Sequence, residues 1–284
     1  MKATLNVSFR RTLGAVGTYS ALGAISLVML VPFLWMITTS FKEQQKVFAY
    51  PPQLIPTSFR WQNYADVFDR IPFHLFYFNS VYIAILVVAG TVFFASLAGY
   101  AFARIPFSGR NAVFLALLSA MMIPHEVTAI PMFLTMRELG WIDTHIPLVL
   151  LPIFGAGGVF GIFVMRQFFI TVPKELEEAA MIDGCNRFRI YGQIMLPIAK
   201  PGLATLTIFT FVTNWNEFFD PLIFINSRSL MTLPLGLSLF TDEVGTAWHL
   251  LMSATVMATV PLLIVFFLAQ RQFIEGVAMT GIKE

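Results

Sequence analysis

Charge is scarce in this chain. Asp, Glu, Lys and Arg make up 12% of its 284 residues, about half the ~25% of an ordinary soluble domain, so lipid is the expected solvent. The formal net charge of +2 is too small to argue for nucleic acid, and no such partner is expected. Cysteine occurs once, at Cys185, which excludes an internal disulfide and a clustered thiolate site. The four histidines include no pair at zinc spacing, so no metal site is expected. No glycine is followed by lysine, so the G-x-x-x-x-G-K-[ST] phosphate loop is missing and this chain cannot supply ATP hydrolysis. No nucleophile–base constellation stands out, so no catalytic residue and no bound cofactor are expected, and no low-complexity tract or repeat divides the chain.

What is present is apolar length. Hydrophobic residues reach 57%, and six stretches are long enough to cross a bilayer, about 13–39, 75–103, 112–134, 146–165, 202–225 and 250–270. The first follows Lys2, Arg10 and Arg11, but its uncharged run from Thr12 to Phe41 is too long for a signal-peptide core, so it reads as a retained anchor. With the N-terminus inside, six of the 18 Lys and Arg residues fall outside (Lys42, Lys46, Arg60, Arg70, Arg137 and Arg228). The inward excess favours both termini in the cytoplasm. The expectation is one polytopic all-α domain over 1–284. Its parts are a cytoplasmic start at about 1–12, a first external loop at about 42–74, a cytoplasmic loop at about 170–200 and a last external loop at about 226–249.

The first external loop is interrupted by Pro51, Pro52, Pro56 and Pro72, and "RWQNYADVF" within it suits a short helix. Two spans carry polar clusters. The third holds "MMIPHEVTAIPMF", with His125 and Glu126 between two prolines; the fifth holds "FVTNWNEFFDPL", with Asn214, Asn216, Glu217 and Asp220. Both clusters fall about 20 Å from the cytoplasmic start of their spans. A central charge costs ~3 kcal/mol, which fifteen or so apolar neighbours offset. Such groups should face protein or water. On one reading they line a solute path; on the other, both helices end early and the clusters sit at the outer interface. Trp215, Phe218 and Phe219 suit sugar stacking or, equally, packing.

One polar stretch, "EEAAMIDGCNRFRIYGQIMLP", lies between two apolar spans. Thr171 and Pro173 make a helix start, and Glu175, Glu177 and Glu178 crowd the first turns, where the helix dipole favours them. Gly184 suits the helix end. Arg187 to Leu196 reads as a second amphipathic helix that Pro197 stops, with Pro201 starting the next span. The acids Glu175, Glu177, Glu178 and Asp183 outnumber Lys174, Arg187 and Arg189, so a protein dock is favoured over a hairpin lying on lipid headgroups, which would want a basic polar face.

The spacing Glu178-Ala179-Ala180, three residues, Gly184, nine residues, Ile194, one residue, Leu196-Pro197 resembles, without a gap, the EAA motif of permease subunits from ABC importers. Asp183 before Gly184 looks like the carbohydrate-importer version. "PPQLIPTSFRWQNYADVF", "FNSVYIAI", "NWNEFFDPL", "TLPLGLSLF" and "QRQFIEGVAMTGIKE" look like further segments of the maltose-type (MalG-like) permeases, so the resemblance runs nearly end to end. Only the final Thr280–Glu284 departs from the usual tail.

The resemblance implies a type I ABC importer permease with six transmembrane helices and a cytoplasmic coupling helix, in a bacterial inner membrane. It implies a second, MalF-like permease subunit, an ATPase dimer that carries the ATP and Mg, and an extracytoplasmic solute-binding protein, with a carbohydrate as cargo. Glu178, Ala179, Ala180, Asp183, Gly184, Ile194, Leu196 and Pro197 would then couple to the ATPase. Asn214, Asn216, Glu217, His125 and Glu126 would belong to the path, and Asp242 and Glu243 would meet the binding protein. A stand-alone carrier using His125, Glu126 and Glu217 as proton groups is the alternative.

Overall fold

The computed structural model describes residues 2–242 and 245–281, with side chains over 14–241, 245–268 and at 270. In chain order the helices are α1 (Lys2–Ser40), α2 (Gln62–Arg70), α3 (Phe73–Arg104), α4 (Arg110–Ala120), α5 (His125–Glu138), α6 (Ile146–Phe154) and α7 (Ala156–Thr171). Then follow α8 (Glu175–Ile182), α9 (Arg187–Ile190), α10 (Leu196–Ile198), α11 (Lys200–Trp215), α12 (Phe219–Phe224) and α13 (Leu233–Leu237). A two-residue antiparallel ribbon, β1 (Thr241–Asp242) and β2 (Gly245–Thr246), precedes α14 (Trp248–Gly281). The all-α class expected from the sequence holds.

Four helical stretches are long and apolar enough to cross a bilayer: Gly14–Ser40, Phe73–Arg104, Ile146–Thr171 and Trp248–Leu268. Two bent pairs, Arg110–Ala120 with His125–Glu138 and Arg187–Ile198 with Lys200–Trp215, raise the number to at most six if each pair counts as one span. The sequence reading left open whether the third and fifth stretches end early, and the structure interrupts both. The third stretch, 112–134, is not one straight rod, because α4 and α5 meet at 96°. Pro124 at the junction has ψ 135° and biases Ile123 before it away from helix. In the fifth, α11 ends at Trp215 and the polar residues from Asn216 separate it from α12. Pro197 does not stop the helix that contains it. Leu196 N–H reaches back to Tyr191 O across a π turn, Tyr191–Met195, and the helix runs on to Ile198. The chain turns instead at Ala199, ψ 8°, and Pro201 sits in the first turn of α11, where a missing N–H costs nothing.

The chain forms two compact units. In the first, Met1–Arg70 with Phe240–Met257, α1 leaves its apolar side chains exposed on every side between Gly14 and Leu34, as suits a helix whose solvent is lipid. Its end is held by polar bonds. Asn63 Nδ2 donates to Ser40 O and Lys42 O, both at 2.8 Å, and Ser253 Oγ donates to Ser40 O at 3.0 Å. The Lys42 ammonium lies 4.1 Å over the Trp35 ring, and burial pushes its pKa down. The short helix expected within the first external loop is α2, which buries Asn63 and Val67.

The second unit, Ile71–Leu239 with Ala258–Glu284, is built round α3, whose 32 residues span about 48 Å. α3 packs along α7 and also against α11, α6 and α13. At Gly99 the two backbones nearly touch: a Cβ there would lie 2.7 Å from Met165 Cβ and 2.9 Å from Arg166 N. One apolar core gathers Tyr100, Met165, Phe169, Ile190, Met195 and Leu206, and a second gathers Ile83, Val87, Leu148, Ile153, Phe224 and Leu235.

Candidate functional site

The motif folds as a helical elbow. α8 begins with three acids in its first turn, and Gly184, at φ +81°, takes the left-handed conformation that ends helices. Gly184 N donates to Met181 O at 3.1 Å and Cys185 N to Ala180 O at 2.9 Å. Asn186 Oδ1 accepts from Arg189 N at 2.9 Å and so caps the second arm. A Cβ added at Gly184 would meet nothing within 4 Å.

The elbow has two faces. Glu178, Ala179, Asp183 and Gly184 are exposed, and so are Ile182 at 87% and Phe188 at 78%. Ala180 points inward instead, buried with Ile190 and Met195, and Ile194 and Leu196 pack half-buried on the same core. Pro197 is exposed. Sequence reasoning missed Glu177 as anything more than a first-turn acid. Its carboxylate is buried between Arg104 Nε at 3.0 Å and Arg187 Nη1 at 3.5 Å. Phe188 was missed too; its signal was a large aromatic on the polar side of an amphipathic arm.

The two interrupted spans meet. His125 Nε2 lies 2.7 Å from Asp220 Oδ1, joining the start of α5 to α12 across a long stretch of sequence. Glu217 Oε1 accepts from Phe219 N at 2.8 Å and Asp220 N at 3.2 Å, which caps α12. Asn216 Nδ2 bonds back to Val212 O at 2.8 Å and stays exposed, as does Glu126. Asn214, Glu217, Asp220 and Thr232 line a cavity of about 10 Å³, room for about one water and far below what a sugar needs. Trp215 is packing: it is 3% exposed, stacks on Phe211 at 5.4 Å and donates Nε1–H to Ala258 O at 3.1 Å. Phe218 is 40% exposed, while Phe219 packs edge-on to His125.

The segment after α12 is strapped down. Asn79 Nδ2 donates to Ser229 O at 2.9 Å and Met231 O at 3.0 Å, and Leu233 N donates to Ser80 Oγ at 2.7 Å. The Asp143 carboxylate accepts from the Ser227 hydroxyl, from Ser227 N at 2.7 Å and from Asn226 N at 2.9 Å. Those bonds hold its pKa below the usual carboxylate range. His145 Nε2 donates to Leu230 O at 2.6 Å, and its other ring nitrogen meets the Tyr82 hydroxyl. Asp242 pairs in the ribbon with Gly245; Glu243 lies outside the described residues.

Comparison with known proteins agrees with the geometry. The chain is 34% identical over 266 residues to the arabinooligosaccharides transport system permease protein of Halalkalibacterium halodurans, covering 91% of this chain and 93% of the relative. It is 33% identical over 267 residues to the trehalose/maltose transport system permease protein of Thermococcus litoralis, covering 92% and 95%. Among solved structures, a chain of a bacterial ABC transporter that imports the acidic polysaccharide alginate shares the fold, with TM-score 0.80 at 24% identity, over 93% of this chain and 97% of that one. Residues 91–278, which hold the elbow and both interrupted spans, match the family model for the binding-protein-dependent transport system inner membrane component. The chain belongs to that family, the membrane-spanning permease subunits of ABC importers.

Proposed function

We propose that this chain is one of two permease subunits in an ATP-driven importer of di- or oligosaccharides, forming half of the path and coupled to a separate ATPase dimer through the elbow at about 170–200. The observation that carries this reading is the uncovered outer face of the elbow. Ile182 and Phe188 expose apolar surface around an open glycine, with the acids Glu178 and Asp183 at the rim. An apolar patch with a charged border has the composition of a protein interface, and Glu178 suits a basic residue on the ATPase. The cargo class is supported by the oligosaccharide and disaccharide named for the two relatives.

On this reading both termini and the elbow are cytoplasmic, ATP and Mg bind only the ATPase, and the other permease is MalF-like. The outer segment at about 226–249, with Asp242 and Glu243, meets the solute-binding protein. Asn214, Asn216 and Glu217, with His125 and Glu126, border a path that opens and shuts by rigid-body rocking of the spans.

The test is reconstitution. Co-expressed with its companions, the chain should purify with a second permease and an ATPase, and uptake into vesicles should require ATP and the binding protein. Uptake by this chain alone, without ATP, would favour a stand-alone carrier using His125, Glu126 and Glu217 and would overturn the proposal. A reporter fused at Lys200 should read cytoplasmic.

Glu217 permits a sharper check. Glu217→Gln keeps an acceptor for Phe219 N and Asp220 N; Glu217→Leu removes the cap as well, at about 1 kcal/mol. If the charge serves the path, both variants change uptake kinetics while the ATPase still co-purifies. If Glu217 only caps α12, the glutamine variant transports normally.

A further inference from the structure

We infer that the elbow is pinned to α3 at two points, Glu177 to Arg104 on its first arm and Tyr191 to Ser96 on its second, and that these pins set how much of the ATPase's motion reaches the spans. The inference rests on the proposal that the ATPase docks on the elbow's outer face, and it concerns the opposite face.

The first pin is an ion pair shut away from water. Arg104 Nε lies 3.0 Å from Glu177 Oε1, an ion pair by distance that lacks the angle of a hydrogen bond, and the two side chains are 4% and 6% exposed. A surface pair at that distance would contribute little. Here removing the carboxylate leaves a buried guanidinium without its counter-charge, which is what makes breaking such a pair costly. The same guanidinium donates to Val172 O at the end of α7. Arg187 Nη1, 3.5 Å from Glu177 Oε2 and 44% exposed, braces the second arm against the same carboxylate. Glu177 therefore joins α3 to both arms.

The second pin is a hydroxyl pair, Ser96 Oγ and Tyr191 Oη at 2.7 Å, with Ser96 buried. Ser96 spends its one proton on Phe93 O at 3.1 Å, so Tyr191 is the donor between them. The Tyr191 ring also tilts against Tyr100 at 5.4 Å.

Position along α3 gives these contacts their mechanical meaning. Ser96 and Arg104 are eight residues apart in one helix, about 12 Å along its axis. A single pin leaves an elbow free to pivot; two that far apart fix its angle. α3 in turn lies against α7 with backbone nearly touching at Gly99, so a turn of the elbow is a turn of the α3–α7 pair. The adjacent acids thus divide the work: Glu178 faces outward to the ATPase, and Glu177 faces inward to the spans. Both are positioning residues for transport, acting at different interfaces.

The experiment measures ATP hydrolysed per solute taken up, in proteoliposomes holding the complete transporter with its binding protein. Glu177→Gln is expected to raise that ratio about tenfold and Tyr191→Phe about fivefold, within the range of ordinary coupling between sites, while ATPase co-purification stays at the wild-type level. Glu177→Asp should recover part of the loss. A uniformly destabilised permease would lower hydrolysis and uptake together and leave the ratio where it was. That unchanged ratio in Glu177→Gln and Tyr191→Phe overturns the inference. Should Glu177→Gln fail to assemble, Tyr191→Phe decides alone, since it removes one hydroxyl and keeps the ring. A wild-type chain that recruits no ATPase at all is a different result, and overturns the docking proposal together with the pins.

Discussion

Gly184→Trp is expected to lower uptake about a hundredfold, the effect of blocking the centre of a docking surface, without unfolding the permease. Gly184 sits at φ +81° with nothing within 4 Å of where a Cβ would stand. A left-handed non-glycine residue costs roughly 1–2 kcal/mol, well within the 5–15 kcal/mol of a typical folded domain. The bulk of tryptophan therefore goes outward, into the space the ATPase would occupy beside Ile182 and Phe188. Gly184→Asn separates backbone from bulk, because asparagine tolerates the left-handed region; it should keep most of the transport. Measured uptake and permease-stimulated ATP hydrolysis decide the matter. Normal values of both in the tryptophan variant would mean that nothing docks at this elbow.

The second large effect is on stability. Gly99→Val should destabilise the bundle by about 3 kcal/mol or more, at the upper end of overpacking penalties. A Cβ at Gly99 would lie 2.7 Å from Met165 Cβ and 2.9 Å from the backbone nitrogen of Arg166. A crowded side chain can change rotamer, but a backbone nitrogen inside α7 cannot move without the whole helix. α3 and α7 must then part along their contact, opening the core that holds Met165, Phe169 and Leu206. Thermal unfolding in detergent and protease sensitivity should both register it. Gly192→Ala, where an added Cβ meets nothing within 4 Å, is the matched control and should leave the melting temperature near that of the wild type.

Some of this was legible in the sequence. The elbow follows from local residue spacing, because a glycine beyond an alanine-rich turn ends the first arm and Arg187 to Leu196 reads as a second, amphipathic one; the Asn186 cap between them came only with the structure. The interruptions in the third and fifth spans were readable from Pro124 and from the run after Trp215. What the sequence hid is which way side chains turn. Glu177 and Glu178 are adjacent and chemically alike, and the helix dipole welcomes both, yet one is buried against Arg104 and the other is exposed. Arg104 read only as one more inward positive charge. Ala180, grouped with Ala179 by motif, packs inward. Asp220 was visible in its cluster, but its pairing with His125 depends on a 96° bend that no local pattern specifies. Trp215 resolved as a packing residue because its partners, Phe211, Tyr77 and Ala258, include two that are distant in sequence.

The π turn at Tyr191–Met195 makes phase a property of this arm. It winds one residue more than an α-helix would between the same two ends. Removing a single residue within the turn would let the arm close as a regular α-helix between the same two ends, whereas removing one elsewhere along it would hardly change its length, about 1.5 Å, but would rotate what precedes it by some 100°. Phe188 would swing off the outer surface and Tyr191 away from Ser96. Insertions and deletions that surface loops absorb silently would act there like a mistimed gear tooth, and the π turn is the place where the arm can lose a residue and keep its phase.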